Sequence, residues 1–231
     1  MFRKEFQTID TDRALQLSFD ALGEFISMED VAQTFKSAEQ AAIDKAHSLP
    51  RTDGSFAIPA VGNVRAHCKT FAQRADHCAA ALLSIVRLFY PEIEKKNWDE
   101  FYFCKVLELT TPFLKLIRNT RDCLDHRNLT GVTTRDFELH ADGQIGVPSI
   151  EVNFRGSVLN RCSITSFMEG VTKELLGAFE MIVVHMCAKN VQAFAGMPMM
   201  VAPLSDDYRK AWRVRFAYGS YFADGRFAPC G

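Results

Sequence analysis

The stretch FYFCKVLELTTPFLKLI, residues 101–117, is followed directly by RNTRDCLDHRN, residues 118–128. The first part has aromatic and aliphatic residues at helical spacing and predicts a buried helix. Asn97 and Glu100 form a capping pair ahead of it, and Pro112 predicts a kink or a split. The second part holds three Arg, two Asp, two Asn and one His. Because charges at the end of a buried helix must be paired or used, we expect the functional residues here.

Further helices are predicted on both sides of this stretch by apolar residues at helical spacing. Residues 10–49 carry two successive stripes, and a change of phase near Gly23 leaves open one bent helix or two. The first stripe is Leu15, Phe19, Leu22 and Ile26, and the second is Val31, Phe35, Ala38, Ala42 and Ala46. The clearest stripe is Val64, Cys68, Phe71, Ala75, Cys78, Leu82, Ile85 and Phe89. The last stripe is Ile164, Met168, Val171, Leu175, Phe179, Ile182 and Met186, and its helix starts near Ser163 or Ser166. Four to five long helices of this kind predict an up-and-down helical bundle.

Residues 131–157 differ from the helical stripes and predict a β-hairpin inserted between helices. The segment 133–140 is β-branched and aromatic, Asp142-Gly143 is a hairpin turn signal, and 150–154 alternates. A C-terminal strand is predicted at 212–218, and we expect the hairpin and this strand to form a small accessory sheet. The expected organisation is a single domain, 1–231, with a bundle at 12–190, the insertion at 131–157 and a C-terminal extension at 191–231.

Composition excludes several classes of protein. The formal net charge of -1 gives no global basic field for nucleic acid, so RNA binding would need a local cluster. No apolar run is long enough for a membrane span, and the first residues do not resemble a secretory signal. Seven Cys, an odd number, without an export signal indicate reduced thiols and a cytoplasmic location.

Two His-Cys pairs in the clearest helix, at residues 67–68 and 77–78, could indicate a metal site. Ten helical residues span about 15 Å, which is too far for one zinc ion. Cys68 and Cys78 fit the apolar stripe and are predicted to be core thiols. Nothing in the pattern marks Cys123 as a nucleophile.

The geometry of residues 118–128 depends on where the helix ends. At about 100° per residue, Asn119, Asp122 and His126 share one face of an unbroken helix, and Arg121 lies nearly opposite. Arg121 and His126 therefore meet only if the helix breaks between them or if two copies of the stretch meet in a dimer.

The stretch resembles the motif of the HEPN superfamily, in which an Arg and a polar residue precede a His, with four to six residues between the Arg and the His. Arg121-Asp122-Cys123-Leu124-Asp125-His126 matches with four residues between. Arg118-Asn119 carries the commoner polar residue, but seven residues separate Arg118 from His126, so two starts compete. The resemblance covers the predicted bundle, 12–190.

This resemblance implies a metal-independent endoribonuclease that acts as a homodimer through the motif-bearing helix, as in toxin–antitoxin or phage-defence systems. RNA is cleaved by its own 2′-hydroxyl, so no cofactor or metal is expected. His126 is the implied acid and base, Arg121 the phosphate clamp and Asp122 the supporting polar residue. The implied substrate-binding residues are Arg118, Asn119, Arg127 and Asn128. The implied partners are RNA and an antitoxin or another protein. No interaction with a membrane is expected.

Two other interpretations remain open from the residues. The chain could be a non-catalytic HEPN-like module that binds a partner protein or a nucleotide. The stretch could also be a structural cap, because Arg and His interact favourably with a helix C-terminus. In that case Asp122 would pair with Arg118, and Asp125 with Arg121, at i, i+4 spacing.

Overall fold

The computed structural model describes residues 11–49, 57–89, 101–126 and 129–190, and five short strands beyond residue 190. The helices are α1 (Thr11–Ser48), α2 (Val64–Phe89), α3 (Phe101–Asp125) and α4 (Ile164–Asn190). The strands are β1 (Val132–Arg135), β2 (Glu138–Leu139), β3 (Ile145–Gly146), β4 (Ser149–Phe154), β5 (Ser157–Ser163), β6 (Ala193–Phe194), β7 (Met197–Val201), β8 (Phe216–Ala217), β9 (Tyr221–Phe222) and β10 (Phe227–Pro229). The described part is mainly helical with small antiparallel sheets, which confirms the predicted class. No described helix is long and apolar enough to cross a membrane.

Helix α1 is one helix of 38 residues, so the alternative of two helices is wrong. Its second half buries Phe35 and Ala42, as predicted. Three residues of the stripe predicted for its first half are not buried: Phe19, Leu22 and Ile26 are exposed by 65%, 41% and 63%. The side chain of Leu15, the fourth residue of that stripe, lies outside the description. The side chains that face the core there are Leu17, Ala21, Phe25 and Met28. Both faces of this half are apolar, and contact with α2 and α4 decides which one is buried.

Helices α2, α3 and α4 lie close to their predicted positions. The predicted α2 stripe is buried from Val64 to Ile85. Helix α3 continues through Pro112 to Asp125, so the predicted split at this proline is wrong. Helix α4 begins after Ser163, whose Oγ accepts a hydrogen bond of 3.0 Å from the backbone N–H of Ser166. This is the N-capping expected of a serine at that position.

The helices pack antiparallel to their neighbours. Phe35 of α1 meets His67 near the start of α2 edge to face, with the ring centroids 5.6 Å apart. Glu24, earlier in α1, pairs at 3.5 Å with Arg74, later in α2. Helix α4 also runs antiparallel to α1, because Phe25 contacts Phe179 at a centroid distance of 5.8 Å and Lys36, later in α1, pairs at 3.4 Å with Glu169, earlier in α4.

The insertion between α3 and α4 is larger than the predicted hairpin. Strands β1, β4 and β5 form a three-stranded antiparallel sheet with β4 in the centre, and β2 and β3 form a separate ribbon. The predicted turn at Asp142-Gly143 joins β2 to β3, with Gly143 at a φ of 83°. The turn between β4 and β5 is Arg155-Gly156, with φ values of 47° and 78°. Positive φ at both central residues is typical of a tight hairpin turn.

The predicted C-terminal strand does not join this sheet. Within the described residues, its 216–217 portion is strand β8, which pairs with β9 in a sheet of its own. Residues 212–215 and 218 of the prediction lie outside the described residues. Within the described residues the expected joint accessory sheet is not formed, because β8 pairs with β9 whereas β4 pairs with β1 and β5.

Helices and sheet share one hydrophobic core. Ile150 and Val152 of β4 are fully buried in the same cluster as the α2 and α4 stripes. Ile117, Cys123 and Leu124 of α3 belong to it as well. The C-terminal half of α3 is therefore held between α2 on one side and the sheet on the other, and this positions the residues of the candidate site.

Candidate functional site

The C-terminal end of α3 is regular helix through the whole motif. The backbone N–H of His126 still donates to the carbonyl oxygen of Asp122 at 3.0 Å, which is the helical i to i−4 pattern. No break separates Arg121 from His126. Five residues of helix place their side chains about 140° apart around the axis. Within one chain the two side chains therefore leave different faces of α3.

Two carboxylates hold the guanidinium of Arg121. Its Nε and one terminal nitrogen donate to Oδ1 of Asp122 at 3.2 and 2.6 Å, and its other terminal nitrogen donates to Oδ2 of Asp76. The Asp76 side chain is 12% exposed and that of Arg121 is 30% exposed. The hydrogen bond with Asp122, with the charge of Asp76, raises the pKa of Arg121 further above its ordinary value. Arg121 is thus a fixed cation with a fixed orientation.

Asp76 was not predicted from the sequence. It lies on α2, 45 residues before Arg121, and it is also 3.7 Å from Nε of the exposed Arg118. A signal for it existed, because Arg65, Lys69, Gln73 and Asp76 recur along α2 at steps of four, four and three. This polar stripe runs beside the apolar stripe that dominates the α2 pattern.

The α2 stripe and the end of α3 form what we call the polar seam, made of residues 65, 69, 73 and 76 with residues 118 and 121–125. Across it, Arg65 donates a hydrogen bond of 2.9 Å to the backbone carbonyl of Cys123. Asp125 forms an ion pair with Lys69 at 3.1 Å and accepts a hydrogen bond of 2.9 Å from Gln73. Asp125 therefore pairs with α2 rather than with Arg121. Arg118 lies by Asp76 rather than by Asp122. The predicted i, i+4 pairs give way to contacts between helices.

Asn119 is buried away from the polar seam. Its Nδ2 donates to Oγ of Ser157 at 2.8 Å and to the backbone carbonyl of Phe154 at 3.3 Å. Only 6% of the residue is exposed. The expectation that Asn119 binds substrate is wrong, because its amide is used to hold the β4–β5 turn against α3. Arg118-Asn119, the alternative start of the motif, therefore has a polar residue that is buried and does not face solvent.

His126 lies one residue beyond α3 and is exposed. No hydrogen bond links its ring to another residue in the described part of the chain. The exposed Arg118 and the partly exposed Arg121 lie on the preceding turns. Arg127 and Asn128, the other predicted substrate-binding residues, lie outside the described residues.

The cysteines near the seam are core thiols. Cys123 is fully buried, and burial raises the pKa of its thiol. Cys68 and Cys78 are also fully buried, and burial raises the pKa of each to about 12. The burial of Cys68 and Cys78 confirms their predicted place in the core. Among the residues whose placement is described, no group of three or more His, Cys, Asp or Glu could hold a metal ion.

Comparison with known proteins does not add to this geometry. No protein-family model, curated protein or solved structure matches the chain. The chemistry available at the C-terminal end of α3 is that of the exposed imidazole of His126, the exposed guanidinium of Arg118 and the guanidinium of Arg121, which carboxylates orient. These groups can exchange a proton near neutral pH and bind an anion.

Proposed function

We propose that the chain is a HEPN-like, metal-independent endoribonuclease in which two copies join the ends of their α3 helices into one composite cleft. The observation that carries the proposal is the exposed ring of His126, which has no partner in the described part of its own chain. One turn earlier, Arg121 is held in a single orientation. Since the two side chains leave different faces of an unbroken helix, the Arg121 that serves each His126 comes from the second copy.

His126 supplies the acid and base chemistry in this proposal. Histidine is the side chain that can both take and give a proton near neutral pH. It takes the proton from the 2′-hydroxyl as the 2′-oxygen bonds to phosphorus, and the protonated imidazole then gives a proton to the 5′-oxygen as that oxygen leaves. The products are a 2′,3′-cyclic phosphate and a 5′-hydroxyl. The nucleophile belongs to the RNA, so His126 does not have to be covalently modified.

Arg121 supplies positive charge to the phosphate in this proposal. A guanidinium has five N–H donors. Three are used by Asp122 and Asp76, and one remains on each terminal nitrogen. The role of Asp122 changes accordingly, since it orients Arg121 and not His126. Arg118, with its side chain 64% exposed, adds a second cation for the RNA backbone.

A non-catalytic interaction or nucleotide-binding module is the second candidate. It is favoured by one observation, the pairing of Arg121 with two carboxylates at once. Asp76 and Asp122 offset its charge, and a phosphate has to compete with both. In this case Arg121 is an internal brace for α2 and α3, and the exposed Arg118 and His126 form part of a binding surface.

The test is cleavage of single-stranded RNA by the purified full chain in EDTA. His126→Ala is expected to lower the rate at least 100-fold, since loss of a general acid or base costs roughly two to four orders of magnitude. His47→Ala is the matched control. His47 is also an exposed His at the C-terminal end of a helix, in the last turn of α1, whereas His126 follows directly after α3, so both changes remove a similar interaction with a helix end. Far-UV circular dichroism checks that both variants keep their helices.

The composite site has its own test in the same assay. Subunits carrying Arg121→Ala and subunits carrying His126→Ala are inactive alone, and mixing them is expected to restore part of the activity. No restoration in a mixed dimer would contradict a site shared between copies. The non-catalytic module would be supported instead by two results together. The wild-type chain would leave RNA intact in EDTA, and the His126→Ala and His47→Ala variants would bind RNA equally well.

A further inference from the structure

The outer face of α1, made of Phe19, Leu22, Gly23 and Ile26, has an apolar surface that the described residues leave exposed. Phe19 and Ile26 are each exposed by more than 60%. The three apolar residues are spaced at i, i+3 and i+7, so they fall within an arc of about 60° on the helix. The opposite side of the same turns is buried in the core. A helix that is apolar on both sides is typical of one that is covered on both sides.

Gly23 makes this surface suited to another helix. None of the described residues lies within 4 Å of the position that its Cβ would take, so packing in this part of the chain gives no reason for a glycine there. A glycine inside a helix is less favourable than alanine. Without a side chain at position 23, the backbone of a second element can approach α1 between Phe19 and Ile26.

Charges around the face define what can bind it. Residues 14–35 include four acidic residues and no Lys or Arg. Glu24 is used by Arg74 of α2, whereas Asp20, Glu29 and Asp30 are exposed. A second copy of α1 would bring the same acidic residues against them, and an anionic lipid surface would be repelled. A helix with an apolar stripe and basic flanks complements both the shape and the charge.

We propose that the outer face of α1 binds a basic amphipathic helix of another protein. The apolar residues of the partner pack on Phe19, Leu22 and Ile26, and its Lys or Arg residues pair with Asp20, Glu29 and Asp30. This surface is independent of the polar seam, so it does not depend on RNA cleavage.

The experiment titrates the full chain into two labelled synthetic helical peptides and follows fluorescence anisotropy. Both peptides have the same leucine stripe, and one carries Lys and the other Glu on its flanks. The Lys peptide is expected to bind. Addition of 0.5 M salt is expected to lower its affinity at least tenfold, because salt screens exposed ion pairs. The Glu peptide is expected not to bind.

Phe19→Asp is expected to lower the affinity for the Lys peptide at least tenfold, whereas Val158→Asp is expected to leave this affinity unchanged. Val158 lies on β5 and is exposed to the same degree as Phe19, 66% against 65%, which makes it a matched control. Gly23→Leu is a second variant, and it does not add charge. It is expected to lower the affinity for the Lys peptide without lowering the Tm of the protein. Equal binding by the Phe19 and Val158 variants, or equal binding of both peptides, would overturn the proposal. So would a wild-type dimer that Phe19→Asp converts to a monomer, since the face then belongs to a second copy.

Discussion

Asp76 is the residue that fixes the orientation of Arg121 from another helix. Its carboxylate is mostly buried and accepts from Arg121, while Asp122 holds the other side of the guanidinium. Residue types and spacing at 118–128 could predict Arg121 and His126, because the motif is local in the sequence. They could not predict Asp76, since a pair that is 45 residues apart depends on how α2 packs against α3.

Replacing Asp76 by Asn tests this brace. The substitution keeps the shape but leaves the buried side of Arg121 without its carboxylate, and we expect the free energy of unfolding to fall by about 1–3 kcal/mol. Urea denaturation measures it. Asp44→Asn is the control, because Asp44 is exposed and accepts a hydrogen bond from the side-chain amide of Gln40, one turn earlier on α1. Equal stability of the two variants would show that the contact contributes nothing to the fold.

The elements show where periodicity is sufficient and where it is not. Helix α2 was predicted correctly because only one of its faces is apolar. In the first half of α1 two faces are apolar, and the sequence gives no reason to prefer the side with Leu17 and Met28 over the side with Phe19 and Ile26. Strand β5 was not predicted, because SVLNRCS has no clean alternation and Arg155-Gly156 is a weaker turn signal than Asn-Gly.

Asn119 joins two of these elements, and its substitution measures that joint. Asn119→Ala removes both hydrogen bonds to the β4–β5 turn and leaves the Oγ of the buried Ser157 and the part-buried carbonyl of Phe154 without this donor. We expect a loss of about 1–3 kcal/mol in the free energy of unfolding, measured in urea. Asn160→Ala, at an exposed position on β5, is expected to change stability by less than about 0.5 kcal/mol. A substrate-binding Asn119 would give the opposite result, with unchanged stability and weaker RNA binding.

At the scale of the whole molecule, the sheet is part of the bundle rather than an addition to it. The predicted hairpin was expected to belong to a small accessory sheet. Its strand β4 instead contributes fully buried residues to the core that α2, α3 and α4 share. Burial of this kind cannot be recognised from alternation alone, because a strand that packs on helices and a strand that faces solvent can have the same pattern. A single core also means that the helices and the sheet are expected to unfold together.

Truncation of Ile150 tests whether the molecule unfolds as one unit. Ile150 lies on β4 and is completely buried, so Ile150→Ala is expected to cost about 2–5 kcal/mol through lost burial and a cavity. Far-UV circular dichroism in urea, which mainly follows the helices, should therefore show a lower midpoint although the change is in the sheet. Val158→Ala on the exposed face of β5 is the control and is expected to stay within about 0.5 kcal/mol of the wild type. If Ile150→Ala left the helical transition where it was, the sheet would be an independent unit, and the polar seam would not depend on it for its position.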